Sequence, residues 1–192
     1  MITPNKKYLL TVLTLIIVGC APTVIELADS DPKAVIANKE ELLKGSNIPD
    51  ETIQALINAH NNLGEKALLV GDLSSAEDQF NNILELQSKN KLAKYGLAMI
   101  SGHRFFKKGS SPALWKALEQ FGKAAYYNPE NNEPNYWIGR SYEKKDSKDF
   151  ELIIEAYQKA LKGNLSEEIA LDAEQRLSKT LKKQKTYEDF WK

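Results

Sequence analysis

From Pro49 onward, apolar residues recur at helical spacing in one run after another, and each run stops at a short breaker. No stretch alternates with the period of two that a half-buried strand needs. Glycine and proline number only 10 and 7 among 192 residues, so long helices can run without interruption. The chain therefore reads as all-α, with helices near 50–70, 74–88, 91–107, 112–127, 133–145, 148–162 and 166–187. Ser74 with Glu77 reads as a capping box, and Ser111-Pro112 as a cap followed by a helix-starting proline. Gly71, Gly109 and Gly163 fall where helices should end. Upstream, Asp31-Pro32 opens a shorter helix that runs to about Lys44 and is stopped by Gly45. Residues 21–31, with Pro22, Asp29, Ser30 and Asp31, read as a tether.

Composition narrows the function classes. Charged residues are 27% and hydrophobic ones 42%, a globular balance. Lys+Arg and Asp+Glu are both 26, so no basic field exists to attract a nucleic acid. A single cysteine makes neither an internal disulfide nor a thiolate metal cluster.

That cysteine sits behind a leader. Lys6 and Lys7 precede an apolar run from Tyr8 to Val18, and Gly19 comes just before Cys20. A charged start, a short apolar run and a small residue describe a secretory signal. Spanning a bilayer takes about 20 apolar residues, more than this run supplies. The segment Ile17-Val18-Gly19-Cys20 resembles a bacterial lipobox. The resemblance implies a signal peptide over 1–19, a diacylglyceryl group on the Cys20 thiol and an acylated new amino terminus. It also implies sorting to the outer membrane, because position 21 is alanine rather than the retaining aspartate. Loss of 1–19 removes Lys6 and Lys7 and no acid, leaving 24 basic against 26 acidic residues. An uncleaved signal anchor carrying the same cysteine is the alternative.

The helix pairs repeat. Leu63-Gly64 is followed by Ala76, Phe80 and Ile83; Leu97-Ala98 by Ala117, Phe121, Ala124 and Pro129; Ile138-Gly139-Tyr142 by Ile153, Tyr157 and Ala160. These pairs resemble the tetratricopeptide repeat, a helical hairpin of about 34 residues. Small residues such as Gly64, Ala76, Ala98, Ala117 and Gly139 let the two helices approach, while Leu63, Phe80, Leu97, Phe121, Ile138 and Tyr157 fill the space between hairpins. The second repeat is longer by about seven residues, or two helical turns, in the region of Arg104–Gly109. The resemblance implies a right-handed superhelical stack of about three hairpins over 57–165. An N-terminal helical segment (32–56) leads into it, and a capping helix with an aromatic tail (166–192) closes it.

Chemistry-bearing residues are few. His60 and His103 have no second histidine at ligand spacing, and no phosphate loop or nucleophile elbow is present. No catalytic residue, metal or cofactor is expected, nor a small-molecule substrate. In the repeat family the first helices line a concave groove. Here that implies Asn58, Asn61, Glu65, Leu68 and Leu69, then Leu92, Tyr95, Met99 and His103, then Glu133, Tyr136, Arg140, Glu143 and Lys144. The bland alternative is ordinary surface, with Tyr95 and Met99 packed on a neighbouring helix. The carboxylate clamp of the chaperone-binding members is absent, since Glu65 and Glu133 would repel such a ligand. Tyr187, Phe190 and Trp191 share one helical face, either folded back or exposed as a hook. The expected function is a lipid-anchored scaffold or assembly factor for other envelope proteins. A self-associating structural protein and an accessory subunit of an envelope hydrolase are the alternatives.

Overall fold

Local signals start most of the helices in the computed structural model, which describes residues 22–191. The leader and Cys20 lie outside the described residues. Thr23 and Glu26 form a capping box that opens α1 (Val24–Ser30), and Asp31 caps α2 (Pro32–Ala37), whose first residue is proline. A turn at Asn38 separates α2 from α3 (Lys39–Leu42). Then follow α4 (Asp50–Leu69), α5 (Leu73–Leu86), α6 (Lys91–Lys108), α7 (Ser111–Tyr127), α8 (Glu133–Lys145), α9 (Phe150–Ala160) and α10 (Glu167–Phe190). The chain is all-helical, and among the described residues no strand occurs.

Three expectations need correction. Residues 24–30 are not a tether. They form α1, which buries Ala28 against Ala55, Leu56 and Ala59 of α4. The helix expected over 32–44 breaks in two at Asn38. The cap of α5 is Asp72, whose carboxylate accepts from the Ser75 amide at 3.1 Å, not Ser74. Glu77 instead reaches across to Arg104 on α6, at 2.7 Å.

From α5 onward each helix packs on the one before it, so α4/α5, α6/α7 and α8/α9 form three successive pairs. The core is a chain of four local clusters rather than one centre. Ala28, Val35 and Leu56 anchor α1 and α2 on α4. Phe80, Ile83 and Ile100 join α5 to α6. Phe121, Ala117 and Met99 join α7 to α6. Tyr157, Ile153 and Ala173 join α9 to α10.

One contact recurs in every pair. A fully buried ring from the second helix lies on a glycine of a first helix. Phe80 covers Gly64 and Gly96, Phe121 covers Gly102, and Tyr157 covers Gly139. A Cβ at Gly102 would stand 2.5 Å from the Phe121 ring, and one at Gly139 2.7 Å from Tyr157, so only glycine admits the ring. The extra residues of the second pair lengthen its helices: α6 has 18 residues and α7 has 17, against 13 and 11 in α8 and α9. Gly109, at φ 70°, then stops α6 in the left-handed conformation.

Candidate functional site

The last turns of α4, the middle of α6 and the entry to α8 enclose a cleft of about 370 Å³. Glu65, Leu68 and Leu69 come from α4, Tyr95, Met99 and His103 from α6, Asn131 from the loop before α8 and Glu133 from its first residue. Helical spacing explains the grouping: 65, 68 and 69 share a face, as do 95, 99 and 103. The lip is exposed, with Leu69 at 85%. The floor is apolar and closed, since Met99 is buried at 3%.

Polar groups on the wall are fixed in place. Asn131 Nδ2 donates to the Tyr95 hydroxyl at 2.9 Å, and the Glu133 amide donates to Asn131 Oδ1 at 2.9 Å. Trp137 Nε1 donates to Glu133 Oε1 at 3.0 Å. Burial, then the carboxylates of Glu133 and Glu65, push the Tyr95 phenol up from its usual range, so it stays protonated. His103 meets Trp137 edge-on at 4.5 Å and Phe121 at 5.4 Å. Burial pushes its imidazole down to about 4, so the ring is neutral at pH 7.

Of the residues expected on α8, Glu133 lines the cleft and the other four lie elsewhere. Tyr136 is buried at 5%; its hydroxyl donates to Asp172 Oδ2 on α10 and accepts from Arg140 Nη1, both at 2.6 Å. Glu143 Oε2 accepts from Tyr157 at 2.9 Å and from Arg176 at 2.8 Å. Arg176 Nε closes the network on Asp172 at 2.6 Å. Burial pushes the Asp172 carboxyl up, but the hydrogen bonds from Arg176 and Tyr136 outweigh it and leave the group below its ordinary value. Arg140, Glu143 and Lys144 line a separate hollow of about 360 Å³ with Phe106 and Arg176. Three expected groove residues thus tie α8 to α10 and stand apart from the cleft.

Of the remaining expected positions, Asn58 accepts from Gln54 at 2.8 Å and Asn61 donates to Glu65 at 3.0 Å; neither lines the cleft. Leu92 is 37% exposed and also lies off the cleft wall. Two histidine readings come out differently. His60 is core: Nδ1 lies 2.8 Å from Gln79 Oε1 and the residue is 2% exposed. His103 is a cleft residue with an aromatic backing. Asn131 escaped the sequence reading because it lies in a loop rather than on a repeat helix. Asp172 and Arg176 carried a local signal, an acid–base pair at i,i+4, but their partners are 33 to 36 positions away.

No group of three or more His, Cys, Asp or Glu among the described residues is placed to hold a metal. No described helix is long and apolar enough to cross a membrane. Compared with known proteins, the chain matches no family model and no curated protein.

Proposed function

We propose that this chain is a lipid-anchored scaffold of the bacterial cell envelope. In this reading its helical pairs form a tetratricopeptide-like superhelical stack that binds a partner protein in the α4–α6–α8 cleft. The observation that carries the reading is the cleft itself: an exposed Leu69 and Glu65 at the lip over a floor of Tyr95 and Met99. Interfaces concentrate binding energy in such places, where an aromatic sits in a pocket with a polar rim. The repeated ring-on-glycine contact of the three pairs supports the repeat reading, because each pair solves the same packing problem in the same way. The fixed polar wall supports binding without chemistry. Tyr95 stays protonated beside Glu65 and Glu133, and His103 stays neutral against the rings of Trp137 and Phe121.

The mechanism is concentration and capture. A lipid on Cys20 holds the domain at a membrane, and more than one acyl chain makes that attachment stable. Tethering raises the local concentration of the cleft for partners at the same surface. The cleft then takes one or two apolar side chains of a helix or an extended segment.

Photo-crosslinkers placed at Leu69 and at Asn81, an exposed outward position on α5, test the site in living cells. Capture of one discrete product at Leu69 alone is expected; the same diffuse background from both positions removes the cleft from consideration. For the anchor, intact-mass analysis of the mature amino terminus should show a diacylglyceryl adduct that Cys20→Ser abolishes, with release of the chain from the membrane fraction. An unmodified, uncleaved amino terminus would overturn it.

A further inference from the structure

A hollow of about 1060 Å³ lies apart from the cleft just described. It opens at the other end of the stack, between the second half of α10 and the turn that enters α9. Phe150, Tyr187 and Phe190 give it an apolar bed. Its rim carries Lys148, Lys179, Lys182 and Lys183 against one carboxylate, Glu174. Lys179, Lys182 and Lys183 make no ion pair among the described residues, whereas Arg140 and Arg176 nearby are fully engaged with Asp172 and Glu143.

Its position in the packing order matters as much as its lining. Each helix from α5 to α10 is laid on its predecessor, and the principal neighbours of α10 are α9 and α8. At about 1.5 Å per residue, the 24-residue α10 is about 36 Å long, while the 11-residue α9 is about 16 Å. The long helix therefore offers a wall beside the start of α9 where a further helix of the stack would lie. Phe190 and Trp191, exposed at 78% and 70%, stand at the end of that wall.

We propose that this trough docks an amphipathic helix of a partner protein, one with an apolar stripe flanked by Asp and Glu. A helix laid along α10 sets an apolar stripe at i, i+3, i+4 and i+7 on Phe150, Tyr187 and Phe190. Acidic residues of the same helix meet Lys148 at the α9 turn and Lys179, Lys182 and Lys183 along α10. Concavity selects a rod-shaped occupant over a flat bilayer, and the lysines select its charge. The proposal is independent of the α4–α6–α8 cleft and stands or falls without it.

The probe is a pair of synthetic helical peptides of about 16 residues, enough to run from Glu174 to Phe190 at ~1.5 Å per residue. Both carry the same leucine stripe, flanked in one by glutamates and in the other by lysines. Each is titrated into the isotope-labelled full chain, and amide shifts are followed. Saturable binding of the glutamate peptide is expected, with shifts confined to residues 147–150 and 174–190. Replacing Lys179, Lys182 and Lys183 together by Glu should weaken it by about tenfold or more, and by Gln by less. These side chains are exposed, so both variants should keep the parent melting temperature. Equal binding of the two peptides, shifts mapping elsewhere, or no binding at millimolar peptide overturns the proposal. So does sedimentation of the free chain as a dimer with these amides already protected, which would make a second copy the occupant. Shifts of the same residues with phosphatidylglycerol vesicles but not with the glutamate peptide would assign the trough to a membrane instead.

Discussion

Two regions of the helical array, around α6 and around α8, use equivalent faces in opposite ways. On α6, Tyr95, Met99 and His103 face an open cleft with one neutral hydrogen bond, from Asn131. One pair further on, Tyr136, Arg140 and Glu143 occupy the corresponding face of α8 and are consumed by contacts to α9 and α10. The difference teaches that an equivalent helical face does not carry a fixed role. Where α10 packs on α8 and α9, the polar side chains are tied together across helices; on α6 the corresponding side chains border open space. The energetic consequence is uneven. Charge-assisted hydrogen bonds between partly buried groups stabilise more than neutral ones, so the α8–α10 end should resist chemical change poorly and the cleft should tolerate it.

The largest effect should come from Arg176→Met. It leaves Asp172 and Glu143 partly buried without their shared cation, at a cost of about 2–3 kcal/mol in urea unfolding. A loss below about 0.5 kcal/mol would mean that the α8–α10 network is surface decoration, and the two ends would no longer differ in kind.

Acid should separate the ends next, because their titrating groups lose their stabilisation over different pH ranges. His103 is held at about 4 in the folded chain, below its ordinary value of 6.5. Its contribution is therefore complete above pH 6.5, and it is lost as pH falls and the unfolded chain takes up the proton. By linkage the loss is about 2 kcal/mol at pH 5. His60, also lowered by burial, adds in the same direction. Asp172 is held below its ordinary value of 3.8, so its stabilisation is present above that value and fades only as pH falls through the still lower folded value. Stability measured from pH 7 to 3 should thus fall first through the histidines, and His103→Leu should flatten the slope between pH 6.5 and 4. An unchanged slope in that variant would show that His103 is solvated in solution.

How much of this could be read from the sequence depends on the range of the interaction. Helix ends were legible because caps act within three residues: α6 was expected over 91–107 and spans Lys91–Lys108, with Asn90 accepting from the Ala93 amide and Gly109 in the left-handed region. The start of α1 was missed: the pairing of Thr23 with Glu26 was its local signal, but the polar run after it made 21–31 read as a tether. Glycine under aromatic was legible for Gly64 and Gly139. It was missed for Gly96 and Gly102, since nothing local says which helix of a pair supplies the ring. Helical period alone puts 95, 99 and 103 on one face, and the resemblance to the repeat family is what set Glu65 beside them. Neither could reveal that α10 would claim Tyr136, Arg140 and Glu143. That outcome depends on the path of a helix about 30 residues downstream, which no local pattern encodes.

Single-atom changes sharpen the contrast further. Tyr95→Phe and Tyr136→Phe both delete one hydroxyl. In the first the oxygen accepts one neutral bond from Asn131; in the second it joins Asp172 to Arg140. Losses of about 0.5–1 kcal/mol and about 1.5–3 kcal/mol are expected. Reversed magnitudes would place the stabilising network at the cleft.

The smallest effect is expected from Glu65→Gln, and its smallness is what makes it useful. Glu65 sits at the exposed lip of the cleft, where its carboxylate accepts from Asn61 at 3.0 Å and no cation among the described residues is paired with it. Gln keeps the shape and an acceptor oxygen for Asn61, and the side chain faces water, so stability should change by less than about 0.5 kcal/mol. Removing the charge lowers the negative field at the lip, and an approaching partner senses that field before any contact forms. Glu65→Gln should therefore leave the urea midpoint in place while changing crosslinking yield at Leu69, most strongly at low salt. If stability and capture move together, Glu65 is holding the helix; if only capture moves, the lip belongs to the ligand.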